Sequence, residues 1–258
     1  VYIILVIKNN YDIKSELEYN IIQNSQKTGS DYIPKNIYQL IQNKYNIDPS
    51  FEKNIEYIKD LNPTWNHILY DDVDMIEYIN KYYPNLLHIY NKINPKYGAA
   101  RADFFRYLLM YREGGVYLDI KSAMKVSLDK ILRPKDEYIL SHWPCPYKKN
   151  ETRNLLGEYQ QWHIICIPNH PYLLNVINNV INNIENYDIK KDGTGKTGVL
   201  KVTGPIAYTN SIMQVKANHT IHESNEYIGL IYNNISKSHE SLFSKTHYSL
   251  IKEPIILK

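Results

Sequence analysis

Ala102-Asp103-Phe104-Phe105-Arg106-Tyr107, followed shortly by Gly114-Gly115-Val116-Tyr117-Leu118-Asp119, is the stretch whose reading decides the fold. Ala99, Ala102, Phe104, Phe105, Tyr107, Leu108, Leu109 and Met110 make a helix from about Pro95 to Glu113 apolar on nearly every side, and such a helix is buried. Asp103 and Arg106 are three apart and share one face. A buried carboxylate needs a partner, and two readings stay open: a structural Asp–Arg ion pair, or a polar pair aimed into a cleft to hold a hydroxylated ligand. Pro at the helix start and Gly114-Gly115 at its end show the expected asymmetry of helix termini. Val116-Tyr117-Leu118-Asp119-Ile120 then reads as a strand whose apolar run ends at Asp119. In open α/β sheets ligands bind beyond the carboxyl ends of the strands. Asp119 there is suited to touch a metal or ligand hydroxyls, although an Asp that merely begins a turn fits the same spacing.

Working outward, strand-like and helix-like segments alternate, which is the order of an α/β fold. Residues 12–30 read as a polar helix and loop. Asn36 to Ile41, after Pro34, reads as a short strand, and Ser50 as the cap of a helix with Phe51, Ile55, Ile58 and Leu61 at helical spacing. Asn62-Pro63 stops that helix. His67 to Tyr70 is a second strand, and Asp71-Asp72 caps a helix to about Tyr83. Downstream, Tyr138 to Leu140 and His163 to Ile167 read as strands, His170 to about Ile184 as a helix, Thr203-Gly204-Pro205 as the opening of another, and the tail from Thr220 as strand-like and turn-rich. No linker long enough to separate two domains is visible, so one domain over residues 1–258 is expected, with 1–30 as an extension and 33–250 as the core.

Bulk properties narrow the function. Hydrophobic residues make up 43% and charged residues 22% of 258, enough for a sizeable core. The net charge is +3 and the basic residues are scattered, so nucleic acid is not the expected partner. Cys145 and Cys166 belong to no metal-ligand cluster, which argues against structural zinc. The apolar run Val1 to Ile7 is too short to span a bilayer, which needs ~20 residues. It reads either as an edge strand or as the stump of an anchor, so a cytoplasmic protein and a lumenal domain severed from its anchor both fit. The 25 Tyr against 4 Phe read as compositional bias rather than as an aromatic binding surface.

The central block, Ala102-Asp103, Arg106-Tyr107 and Gly114 to Asp119, resembles the sugar-binding region of glycosyltransferase family 32, which includes outer-chain mannosyltransferases and is related to the clostridial glucosylating toxins. Ile33-Pro34-Lys35-Asn36-Ile37-Tyr38-Gln39 resembles the family's opening strand. Asn62-Pro63, Trp65 and Tyr70-Asp71-Asp72 resemble its second strand and cap, and Val202-Thr203-Gly204-Pro205 its late turn. The resemblance implies a GT-A-like α/β fold with a mixed, mostly parallel sheet flanked by helices. It also implies a nucleotide-sugar donor carrying UDP or GDP, a glycan or protein-linked acceptor, and hexose transfer with retention at the anomeric carbon. Asp103 and Arg106 match the pair that would hold the donor sugar. Asp119 matches the first carboxylate of Asp-x-Asp, expected near ribose, sugar and a divalent Mn²⁺ or Mg²⁺. Pro34, Tyr38 and Gln39 match the strand lining the base, and Tyr117, Gly204 and His247 are further donor-site candidates.

This sequence departs from the family pattern at Lys121, which stands where the second carboxylate is expected. A metal there would neutralise the diphosphate leaving group; a lysine supplies a single positive charge to the same phosphates. A strand alternates faces, so Asp119 and Lys121 are expected to point the same way. Three outcomes follow: Asp119 alone holds the metal, Lys121 takes over part of its work, or the site is inactive and the chain is a non-catalytic nucleotide-sugar or carbohydrate-binding module. The family often carries His at the place of Tyr38 and Trp at that of Ile41, so base stacking falls to Tyr38 or Trp65. Asp192-Gly193-Thr194-Gly195-Lys196-Thr197 imitates a phosphate loop, but Lys190 occupies the place of its first Gly and no buried strand precedes it. It reads as a flexible loop.

Overall fold

A computed structural model describes residue 21 and residues 30–143, 157–235 and 248–257. The chain runs through β1 (Asn36–Leu40), α1 (Pro49–Leu61), β2 (Asn66–Tyr70), α2 (Asp72–Tyr82), α3 (Leu87–Lys92), α4 (Gly98–Glu113), β3 (Gly115–Leu118), β4 (Ala123–Met124) and α5 (Leu128–Ile131). It continues through β5 (Tyr138–Ser141), β6 (His163–Cys166), α6 (Pro171–Glu185), α7 (Ile189–Asp192), α8 (Gly195–Val202), α9 (Pro205–Ile212), β7 (Thr220–His222) and β8 (Leu230–Ile231). Six strands form one sheet in the order β2-β1-β3-β6-β5-β7, and β4 pairs with β8 apart from it. β1 is parallel to β2 and β3, and β5 to β7; only β6 runs antiparallel to its neighbours β3 and β5. The sheet is therefore mixed and mostly parallel, as the family resemblance implies.

Strand alternation divides the core between the two faces. Tyr38, Tyr117 and Ile164 pack on one face with Phe104, Phe105 and Leu108 of α4 and Val176 and Val180 of α6. Ile37, Val116, Leu118 and Ile165 pack on the other with Ile58 of α1 and Trp162. Ile21 is helical and fully buried in the first cluster; the rest of the 12–29 reading, the Val1–Ile7 strand or anchor, Cys145 and His247 lie outside the described residues. The abundant tyrosines are core material: Tyr83, Tyr90, Tyr97, Tyr107, Tyr117, Tyr138 and Tyr208 are among the largest fully buried side chains. Among the described residues no helix is long and apolar enough to cross a membrane.

Four local expectations are corrected. The cap of α1 is Asp48, whose side chain accepts from the Ser50 amide at 2.8 Å, with Pro49 as the first helical residue. A carboxylate two residues upstream thus outcompetes the hydroxyl. α4 begins at Gly98 rather than at Pro95, because Pro95 sits in a turn closed by the Tyr97 amide on the Asn94 carbonyl at 2.9 Å. β3 ends at Leu118, where the Ser122 amide bonds back to the Asp119 carbonyl at 2.8 Å. Asp119 and Lys121 therefore lie in a turn and are not related by strand periodicity. Finally, the glycine-rich segment after Asp192 runs into α8 and is tied down: Tyr187 donates to the Gly193 carbonyl at 2.7 Å and the Gly195 amide donates to the Tyr97 hydroxyl at 3.0 Å.

Buried histidines give the fold a pH dependence. His170 caps α6 by accepting from the Tyr172 amide through Nδ1 at 3.2 Å, while its Nε2 lies 3.1 Å from the Asn218 carbonyl. Burial lowers its pKa to about 4 and that of His163 to about 3. A folded-state pKa below the unfolded one means the unfolded chain binds more protons as pH falls. Stability is therefore complete above ~6.5 and is lost from there downward. Each histidine is expected to remove about 2 kcal/mol by pH 5. Melting curves between pH 7.5 and 4.5 check this, and His170→Asn, which keeps a capping side chain, should make the decline shallower.

Candidate active site

The topology converges on the carboxyl end of β3. β6 runs antiparallel to β3 with Leu118 opposite His163, which brings the residues before β6 beside those after β3; the Asp119 amide bonds the Trp162 carbonyl at 2.8 Å. Gln161 thereby meets α4. Its Nε2 donates to Asp103 Oδ1 at 3.1 Å, and its backbone carbonyl accepts from Arg106 Nη1 at 3.0 Å. Thr203, at the start of the late turn, donates its hydroxyl to Asp103 Oδ2 at 2.9 Å. Arg106 Nη2 stands 3.4 Å from Asp103 Oδ1 and 3.3 Å from Asp119 Oδ1, and the guanidinium lies over the Tyr117 ring at 4.5 Å. The Tyr117 hydroxyl donates to Asp119 Oδ1 at 2.8 Å. One buried cation thus joins the helix carboxylate to the carboxylate at the strand end.

Exposure grades the cluster. The Asp103 and Arg106 side chains are 5% and 7% exposed, and that of Asp119 is 34% exposed, so Asp119 is the carboxylate that opens to solvent. Burial pushes the Asp103 carboxyl up, against the Arg106 charge and the two hydrogen-bond donors. Burial of Arg106 is outweighed by Tyr117, Asp119 and Asp103, which hold its proton firmly. Lys121 is half-buried and its pKa is lowered, first by that burial and against the attraction of Asp119.

The structure brings together Asp103, Arg106, Tyr117 and Asp119. Gln39 joins them through Nε2, which donates to the Asp119 carbonyl at 3.4 Å, while its Oε1 accepts from His67 at 2.8 Å. It does not bring Pro34 or Tyr38 there. Pro34 precedes β1, at the opposite end of the sheet beside Gly115, and the Tyr38 ring, 2% exposed, packs in the helix-side core. Trp65 is also buried, with Nε1 bound to Asp129 at 3.1 Å, so neither aromatic is presented for stacking. Gly204 is buried with its amide on the Val199 carbonyl at 2.8 Å; Thr203 next to it is the residue that reaches the carboxylate. Sequence reasoning missed Gln161 and Tyr232, and placed Thr203 in the late turn and Tyr248 beside His247 without giving either a role. Burial raises both tyrosines, Tyr248 to about 12, with Asp103 the next cause for Tyr248 and Asp119 for Tyr232, which sets both hydroxyls in the field of the cluster. Only the polar pair Gln160-Gln161 directly before an apolar strand could have signalled this from sequence.

The mixed, mostly parallel sheet flanked by helices is a GT-A-like fold. The solved structure of the PaToxG glycosyltransferase superposes on it with a TM-score of 0.53 at 19% identity, covering 80% of this chain and 77% of that one. Residues 48–137 match the model of the glycosyltransferase sugar-binding region containing a DXD motif. It is 29% identical over 128 residues to an inositol phosphoceramide mannosyltransferase 3 of Schizosaccharomyces pombe, covering 50% of this chain and 32% of that protein. It is 28% identical over 240 residues to an initiation-specific alpha-1,6-mannosyltransferase of Candida albicans, covering 80% of this chain and 58% of that protein. The chain thus spans about a third to three fifths of the length of these relatives.

Proposed function

We propose that this chain transfers a hexose from a UDP- or GDP-sugar to a hydroxyl of a glycan or protein-linked acceptor, with retention, and that residues 33–250 form the catalytic unit. The observation that carries this reading is the Arg106 guanidinium held between Asp103 and Asp119 at the carboxyl end of β3. Asp103 Oδ2, which accepts from the Thr203 hydroxyl, retains a second lone pair, which suits it to accept from a sugar hydroxyl. In the transfer step the acceptor oxygen bonds to the anomeric carbon while the bond from that carbon to the phosphate oxygen breaks. The electron pair leaves on the diphosphate, and the acceptor proton passes to a phosphate oxygen. The chain orients the donor and stabilises the leaving charge with fixed cations.

The residues present do not fit a divalent metal held by the protein. Asp119 offers one carboxylate, whose Oδ1 already receives the Tyr117 hydroxyl and faces Arg106. Lys121 stands in place of the second Asp of the motif. Among the described residues no group of three or more His, Cys, Asp or Glu side chains is placed to hold a metal ion. We read Lys121 as a phosphate-binding charge. Incubation with a panel of UDP- and GDP-hexoses should release nucleotide from at least one of them. A folded protein that binds a donor and releases nothing would be a binding module, and this reading would fall.

A further inference from the structure

The turn that carries Asp119 and Lys121 is held from behind by α1. Asn54, on that helix and only 4% exposed, donates both amide hydrogens to it, to the Ser122 carbonyl at 2.9 Å and the Ile120 carbonyl at 3.2 Å. Both of its donors are thereby used. Its Oδ1 accepts from Asn234 Nδ2 at 3.2 Å. The same helix reaches the backbone again farther on: Tyr57 donates to the Met124 carbonyl at 2.9 Å, and Asn62 Oδ1 accepts from the Leu128 amide at 2.7 Å. Asn234 follows β8, which pairs with β4 immediately after the turn, Ala123 opposite Ile231. Tyr232, the aromatic residue in the field of Asp119, lies between β8 and Asn234.

We propose that Asn54 is a positioning residue of the donor site: its side-chain amide fixes the Asp119–Ser122 turn and ties it to the segment bearing Tyr232, so that the carboxylate, the lysine and the tyrosine hydroxyl are set as one unit. A helix-interior asparagine buried on the core side is otherwise a poor choice, because it must find partners for every polar atom. Here each of the partners is either the backbone of the turn or the segment that covers it. The assignment rests on the donor-site reading only for its consequence in catalysis; the fixing of the turn is a property of the free protein.

The experiment compares Asn54→Leu with Asn62→Leu, which removes the buried asparagine at the C-terminal cap of α1 that bonds backbone beyond the turn. Two quantities are read: hydrogen exchange of the Ser122 amide in the free protein, and the Kd for UDP and GDP. Asn54→Leu should speed Ser122 exchange and weaken nucleotide binding, each by about tenfold, whereas Asn62→Leu at matched stability should change each less than about threefold. Equal effects from the two variants, or an unaltered Ser122 amide in Asn54→Leu, overturn the proposal. Should Asn54→Leu not fold, Asn234→Ala removes only the exposed partner and should still speed Ser122 exchange; an unchanged rate there overturns it as well. If the wild-type protein binds neither nucleotide, the donor-site reading fails, and Ser122 exchange decides the fixing of the turn by itself.

Discussion

Asp103→Asn is expected to lower donor turnover by about a thousandfold while leaving the protein folded, the scale of loss seen when a fixed polar group is withdrawn from a transition state. The amide has nearly the same shape as the carboxylate, so packing in α4 is kept. It can no longer accept from Gln161 and Thr203 through both of its polar atoms and face Arg106 at the same time. Asp103→Ala is the less informative change. It strips a buried guanidinium of one partner and leaves two donors unmet, and breaking such a pair costs about 3–5 kcal/mol, so its inactivity could follow from unfolding alone. Asp119→Ala complements the test: its side chain is one third exposed, so its loss should fall on turnover and much less on melting temperature. Nucleotide release and melting temperature measured on the same samples separate the two effects. An Asp103→Asn protein with a rate near that of the wild type would remove this cluster from the mechanism.

Lys121→Asp carries the second large effect. It changes the charge beside the diphosphate by two units and restores the Asp-x-Asp triplet. Without metal, UDP or GDP should bind about tenfold to a hundredfold more weakly, the consequence of replacing an attraction of about 1 kcal/mol by a comparable repulsion at the partly exposed rim of a site. Added Mn²⁺ should recover binding in the variant, and calorimetry should detect Mn²⁺ association that the wild type lacks. Wild-type turnover should be indifferent to EDTA. Full loss of wild-type activity in EDTA with recovery in Mn²⁺ would show instead that Asp119, solvent and phosphate suffice to hold the ion.

Much of the scaffold is legible in the sequence because its signals are local. The apolar periodicity of α4, the glycine pair behind it and the apolar runs of β3 and β6 each follow from a few adjacent residues, and the Asp103–Arg106 face follows from helical spacing. What escapes depends on contacts distant along the chain. Gln161 and Thr203 reach Asp103 across 58 and 100 positions, and neither the Gln160-Gln161 pair nor the Thr203-Gly204-Pro205 turn names that partner. Asn54 looks like an ordinary polar residue of a helix in an Asn-rich chain until the turn behind Asp119 is seen against it. Tyr38 and Trp65 mislead in the opposite sense: their neighbourhood fits a base-lining strand, yet the alternation of β1 turns the Tyr38 ring into the helix-side core and α5 brings Asp129 to Trp65.

The junction between α4 and β3 sets how such a site can work. Gly114 and Gly115 have φ of 62° and 93°, and a Cβ on them would come within 2.6 Å of the Pro168 nitrogen and 2.8 Å of the Asn36 carbonyl oxygen respectively. Backbone presses on the corner from both sides, so it has no room to swell or hinge. Asp103 and Asp119, one on each arm of this corner, are consequently held like the jaws of a fixed gauge. On the proposed function, a donor would have to match their separation on arrival, and selectivity among hexoses would rest on which hydroxyls fall on that span.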